Sequence, residues 1–189
     1  TPSGYAVLGL RAAATGSICV ASRCERFDAA QAYHDHNWGT WQGVTWDWGA
    51  ARAGSFTILY GRVRPPASSG NVDAPMFVYL VDSLGFRAVF RPRQIQYEDT
   101  RVVAGPGRGP ATARLFEVRG NDTLDLRLTI DDAVASDTRG GLVGRGEGDY
   151  ARQLVTPWFL QMKGRARLSG RVGGVALAGE GIGFYETYR

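Results

Sequence analysis

The feature that most constrains this chain is a side-chain period of two. In residues 124–130, Leu124, Leu126, Leu128 and Ile130 alternate with Asp125, Arg127 and Thr129. Residues 86–91 repeat the pattern, with Phe86, Ala88 and Phe90 set against Arg87, Val89 and Arg91. Successive side chains of a strand point to opposite faces, so this pattern reads as half-buried strands. No segment sustains the period of an amphipathic helix.

Turn signals punctuate the alternation and divide the chain into short strands. Tyr5–Arg11 and Ile18–Phe27 read as a hairpin across Thr15-Gly16. Ser55–Val63 is a strand with Phe56, Ile58 and Tyr60 on one face. The Pro- and Ser-rich stretch Arg64–Pro75 is a loop. Met76–Asp82 and Phe86–Arg93 pair over Ser83-Leu84-Gly85, and Ile95–Val103 follows. Gly105–Pro110 is a turn, and Ala113–Arg119 pairs with Leu124–Ile130 across Gly120-Asn121-Asp122. Ser136–Asp149 is a Gly-rich loop with no helix behind it, so it lacks the setting of a phosphate cradle. Asn121-Asp122-Thr123 matches a glycosylation sequon by chance. Trp158–Lys163, Arg165–Val172 and Val175–Tyr188 close the chain as a meander. The expected class is all-β, with little or no helix and antiparallel strands closed into a barrel, because closure removes exposed edges and leaves a lined cavity.

Of the 189 residues 44% are apolar and 21% charged, which suits a globular core. No apolar run is long enough to span a membrane as a helix. The net charge of +4 is carried almost wholly by arginine, Lys163 being the only lysine. The arginines alternate with apolar residues along the whole length, which reads as solvated strand faces and not as a nucleic-acid stripe. Cys19 and Cys24 lie in one strand-like stretch. Five extended residues span about 16 Å, too far for a disulfide without an intervening turn. They read as two reduced, packed thiols that do not fix a compartment.

One segment resists a purely structural reading. Residues 33–48 hold both histidines and four of the five tryptophans: Tyr33-His34-Asp35-His36-Asn37-Trp38-Gly39-Thr40-Trp41, then Trp46-Asp47-Trp48. In an extended strand His34, His36 and Trp38 share one face, and Tyr33, Asp35 and Asn37 the other. Three readings compete. His34 and His36 could ligate a metal, although no third ligand is evident. A His and Asp pair could fix a bulge while tryptophans fill a barrel end. Or a histidine oriented by Asp35 or Asp47 could handle a proton in an apolar pocket walled by Trp38, Trp41, Trp46 and Trp48. Indole faces could also stabilise a cationic intermediate.

The run His34-Asp35-His36-Asn37-Trp38-Gly39, then Trp46-Asp47-Trp48, then a strand with Tyr60, resembles the carotenoid 1,2-hydratase (hydroxyneurosporene synthase) and AttH-like superfamily. The closing Gly181-Ile182-Gly183-Phe184-Tyr185-Glu186 resembles that family's last strand. Close similarity covers residues 33–63, and the remainder matches in strand pattern. The resemblance implies two lipocalin-like (calycin-like) barrels, with residues 1–92 as the latter part of the first and residues 93–189 as the second. It implies a barrel segment upstream of Thr1. It also implies a cofactor-free activity, because related proteins include hydratases of terminal isoprenoid double bonds and cyclases of the Diels–Alderase type.

Carried over by position, His36 and Trp38 would line the pocket with Tyr60 beside them. The hydratases place an Asp two residues after that tyrosine as proton donor. Here the position is Arg62, which stays protonated and is a poor acid. Water addition would then fall to Asp35 or Asp47. A cyclase fits better, since it needs a shaped cavity and a hydrogen-bond donor, which Arg62, Tyr60 or His36 could supply. The expected catalytic set is His36, Asp35, Tyr60 and Asp47, and the substrate-binding set is His34, Trp38, Trp41, Trp46, Trp48 and Arg62. The expected partner is an elongated hydrophobic terpenoid or polyketide, with no cofactor, no metal and no nucleic acid. The competing class is a non-catalytic lipocalin-type carrier. The compartment stays open between the cytoplasm and a membrane surface held by peripheral association.

Overall fold

The computed structural model describes residues 3–39, 41, 43–102, 108–137 and 158–188. Its strands are β1 (Gly4–Val20), β2 (Arg23–Trp38), β3 (Thr45–Ala53), β4 (Phe56–Arg64), β5 (Phe77–Asp82), β6 (Gly85–Phe90), β7 (Gln96–Val102), β8 (Arg108–Arg119), β9 (Asp122–Asp137), β10 (Trp158–Val172) and β11 (Val175–Tyr188). One 3-10 turn, Ala67–Ser69, is the only helical element among the described residues. The antiparallel all-β class agrees with the period of two.

The chain forms two compact units, residues 1–41 and 42–189. The first is the hairpin β1–β2, paired from Gly4↔Trp38 to Val20↔Arg23. Its turn lies at Ala21-Ser22, with Ala21 at φ 54°, and not at Thr15-Gly16. Thr15-Gly16 marks an irregularity inside the ladder instead. Thr15 Oγ1 donates to Asp28 Oδ1 (2.9 Å) and accepts the Ala29 N–H (3.1 Å), and Ala29 itself has φ 47°. Two polar clamps thus let the strands run on past Thr15-Gly16. The turn also overturns the reading of two free thiols. Cys19 and Cys24 become cross-strand partners with Cα atoms 4.1 Å apart, and they form a disulfide.

The second unit is one nine-stranded antiparallel sheet in the order β6-β5-β4-β3-β11-β10-β9-β8-β7. It curls as a half-barrel around a single apolar core. Ile58, Val78, Leu80, Phe90, Leu115, Leu124, Leu126, Leu128, Met162, Leu168 and Leu177 are buried there. The leucines of β9 point inward as their alternation requires. Ala88 and Phe90 do likewise, but Phe86 lies beyond a register shift at Leu80/Val81 and is left 62% exposed.

β6 and β7, on either side of residues 92 and 93, are the sheet's two edges, with no ladder between them among the described residues. Side chains bridge the gap from β6 to β8. Arg119 Nη1 donates to the Val89 carbonyl (3.0 Å), its guanidinium stands 5.3 Å over the Phe90 ring, and Glu117 accepts the Arg91 N–H. Among the described residues these side-chain contacts, and no ladder, link that end of the sheet.

Two further boundaries differ from expectation. β10 is one strand where two were read, because the glycine taken as a break, Gly164, sits at a register shift after Lys163 and the ladder to β9 resumes beyond it. β8 begins at Arg108, inside the stretch read as a turn, and pairs Arg108 with Val102. The Gly-rich loop assigned to residues 136–149 has Ser136 and Asp137 in β9, and its remainder lies outside the described residues.

Candidate functional site

The candidate residues divide between the two units. In the hairpin, alternation places His34, His36 and Trp38 on one face of β2 and Tyr33 and Asp35 on the other. The His36 and Trp38 rings stack at 6.0 Å. The Tyr33 hydroxyl donates to Asp35 Oδ2 (2.9 Å), which fixes that carboxylate. Asp35 is half-buried, His34 and His36 are exposed, Trp38 is 42% exposed and Trp41 is half-buried.

In the larger unit the ladder sets Asp47 opposite Arg62 on β4 and Thr187 on β11, and Gly49 opposite Tyr60 and Tyr185. All six positions face the inside of the half-barrel. Asp47 is fully buried. Arg64 Nη2 donates to its Oδ2 (2.6 Å), and the Tyr97 hydroxyl donates to its Oδ1 (2.8 Å). Thr187 Oγ1 lies 2.9 Å from the same Oδ1 and 3.2 Å from the Trp46 carbonyl oxygen. A carboxylate surrounded by donors and one cation has its charge met, the condition for tolerating a charge in a core.

Tyr60 lies beside this group. Its ring covers Gly49, where a Cβ would stand 2.7 Å from the tyrosine oxygen, so this course across the sheet requires glycine. Burial, followed by the negative potential of Tyr97, Tyr185, Asp47 and Glu186, pushes the Tyr60 phenol well above its ordinary pKa. It is therefore a neutral hydroxyl under all physiological conditions. Arg62 Nη2 pairs with Asp73 (2.7 Å).

Trp46 and Trp48 stand on the opposite face of β3 from Asp47. Trp46 Nε1 donates to Glu186 Oε1 (2.9 Å), and its ring packs 4.8 Å from Tyr188 and 5.8 Å from Phe159. Trp48 is buried edge-on to Phe77 at 5.6 Å. The inner cluster also contains residues that sequence reasoning missed: Arg64, Tyr97, Tyr185 and Thr187. Tyr185 and Thr187 were visible as alternate positions of the last strand. That Thr187 meets Asp47, 140 residues away, and Tyr185 stands opposite Gly49 depends on the β3–β11 pairing, which no local pattern reports.

No protein-family model and no curated protein sequence matches this chain. Solved structures do. Kievitone hydratase from Nectria haematococca aligns with 98% of this chain and 53% of its own at 16% identity, with a TM-score of 0.57. A protein described as a putative AttH from Nitrosomonas europaea aligns with 97% of this chain and 51% of its own at 16% identity and TM-score 0.51. CghA with Sch210972 aligns with 92% of this chain and 50% of its own at 13% identity and TM-score 0.55. The shared feature is the fold. At that level the resemblance read from residues 33–63 is borne out, and the chain spans about half the length of the structures it matches.

Proposed function

We propose that this chain is part of a cofactor-independent enzyme that takes an elongated hydrophobic terpenoid or polyketide into its half-barrel and cyclises, isomerises or hydrates it. One observation carries the reading. A fully buried carboxylate, Asp47, is held by Arg64, Tyr97 and Thr187 on the inner face of a sheet whose core is mainly apolar. A core gains little stability from such a network, because an apolar replacement of similar volume is often as good. A reaction that develops charge in an apolar cavity gains a great deal from fixed dipoles already in place.

Cyclisation suits this arrangement best. It adds and removes no atoms, so the site has only to hold the substrate ends together and polarise a carbonyl through a donor. Tyr60 and Arg62 supply donors on the inner face, while Asp47 orients Tyr97 and balances Arg64. His36, with Asp35 on the opposite face of its strand, is the proton-handling candidate of the hairpin. A non-catalytic carrier is the second reading. It is favoured by the exposure of His34 and His36, which leaves both imidazoles in water.

The two readings separate on Tyr60→Phe and His36→Ala, tested with a ligand extracted from the protein's own host. The enzyme predicts that at least one change lowers turnover about 100-fold, the range of a lost donor or general acid, while ligand affinity stays within a few-fold. If both variants convert the ligand at the wild-type rate, the site assignment fails. If neither the wild type nor the variants convert a ligand they all bind, the protein is a carrier.

A further inference from the structure

Five hairpins of this chain turn on two residues each: 21–22, 54–55, 83–84, 120–121 and 173–174. β4 and β5 are likewise antiparallel neighbours, yet residues 65–76 join them. Hairpins commonly close with about two to five residues, and connections as long as this one are usually functional. The loop leaves the sheet at the row of Thr45 and Arg64, two residues beyond that of Asp47 and Arg62. It therefore stands at the end of the half-barrel where Asp47, Arg62, Arg64 and Thr187 gather.

The loop is stiff at its ends and lightly held between them. Pro65 and Pro66 open it, Pro75 closes it, and Gly70 at φ 67° turns it. Residues 68–75 are exposed. Two bonds fold the loop on itself: the Ser69 N–H donates to the Pro66 carbonyl (2.9 Å) and the Asn71 N–H to Ser69 Oγ (3.2 Å). Among the described residues one side-chain bond ties it to a strand, from Arg62 Nη2 to Asp73 Oδ2 (2.7 Å). The two side chains are 20% and 47% exposed. Arg62 Nε is buried without a partner among those residues, so the guanidinium grips the carboxylate from one side only. A pair this open to water and joined by one bond holds weakly, where a bidentate pair would hold firmly.

We infer that residues 65–76 form a lid on this end of the half-barrel, latched by Arg62 and Asp73, and that an incoming ligand releases the latch by taking Arg62. The inference rests on the ligand-binding reading above, in which Arg62 donates to the ligand. The N–H that Asp73 holds is lost to a ligand oxygen until the loop lets go. Asp73 thus balances the arginine in the empty protein and competes for it during binding. A latched lid lowers the apparent affinity by the fraction of molecules that stay closed. The weakness of the pair suits this part, because the tether must yield to a small molecule and re-form after it leaves.

The test compares the wild type with Asp73→Ala, a change at an exposed loop position. Thermolysin cuts before large apolar residues, and Val72 is 90% exposed, so cleavage between Asn71 and Val72 reports the loop without any ligand. The variant should be cut about threefold faster, the weight of one exposed ion pair. It should also bind retinoic acid, an elongated terpenoid with a carboxylate, about threefold tighter, read from quenching of tryptophan fluorescence. Saturating retinoic acid should bring cleavage of the wild type up to the rate of the variant. Equal cleavage of the two free proteins overturns the latch and leaves the ligand-binding reading intact. Faster cleavage of the variant with unchanged affinity overturns the lid, since the loop then guards nothing. If neither protein binds retinoic acid, the ligand-binding reading fails and takes the lid with it.

Discussion

At the scale of single residues, the inner face is governed by which polar atoms are satisfied. Asp47 meets Arg64, Tyr97 and Thr187, and Tyr60 crosses Gly49 beside it. Gly49→Ala is therefore a direct probe of the arrangement. The added methyl must displace the Tyr60 ring and should cost about 2 kcal/mol, typical of overpacking, read from the denaturation midpoint. The same change in a Tyr60→Leu background should cost much less, and that non-additivity is the signature of direct contact. The two buried phenols add a pH signature. Their pKa values are raised in the folded state, so their contribution is complete below about pH 10 and is lost as pH rises above it. In a spectrophotometric alkaline titration, Tyr60 and Tyr185 should ionise only as the chain unfolds. Replacing both with Phe should move that unfolding to higher pH.

At the scale of elements, strand identity was legible wherever side chains alternate, as in Leu124–Ile130 and around Tyr60. It was misread where glycine marks a bulge. Gly16 and Gly164 look like chain reversals, yet in both places the ladder recovers, braced by Thr15 at the first and by the β9 backbone at the second. The disulfide was lost for the same reason, since its feasibility hung on the turn at Ala21-Ser22. This bond closes a short loop at the hairpin end and should contribute about 2 kcal/mol, felt locally. Thiol titration of the native protein should find no free cysteine at residues 19 and 24 until a reductant is added. Replacing both with Ala should raise amide exchange near Cys19–Cys24 while leaving the nine-stranded sheet unchanged, because the hairpin is a separate compact unit.

At the scale of the whole molecule, the all-β class follows from the strand count and the lack of a helical period, and the likeness in fold to kievitone hydratase, a putative AttH and CghA agrees with the lipocalin-like form that the resemblance implied. The candidate site was legible only in part. Crowding of His and Trp drew attention to residues 33–48, and that segment holds Asp47, the centre of the inner cluster. Its partners Tyr97 and Thr187 were invisible, because one lies on an edge strand 50 residues away and the other enters through the last strand. The tryptophans, the loudest signal in the sequence, include two that pack on the outer face of β3. The central claim is that the inner face binds an elongated, oxygen-bearing hydrophobic molecule, and native mass spectrometry of the protein purified from its own host tests it most directly. The account predicts one such molecule per chain, released on denaturation. A stoichiometric metal in its place, or a chain that carries nothing and takes up no terpenoid or polyketide from a mixed extract, would contradict it.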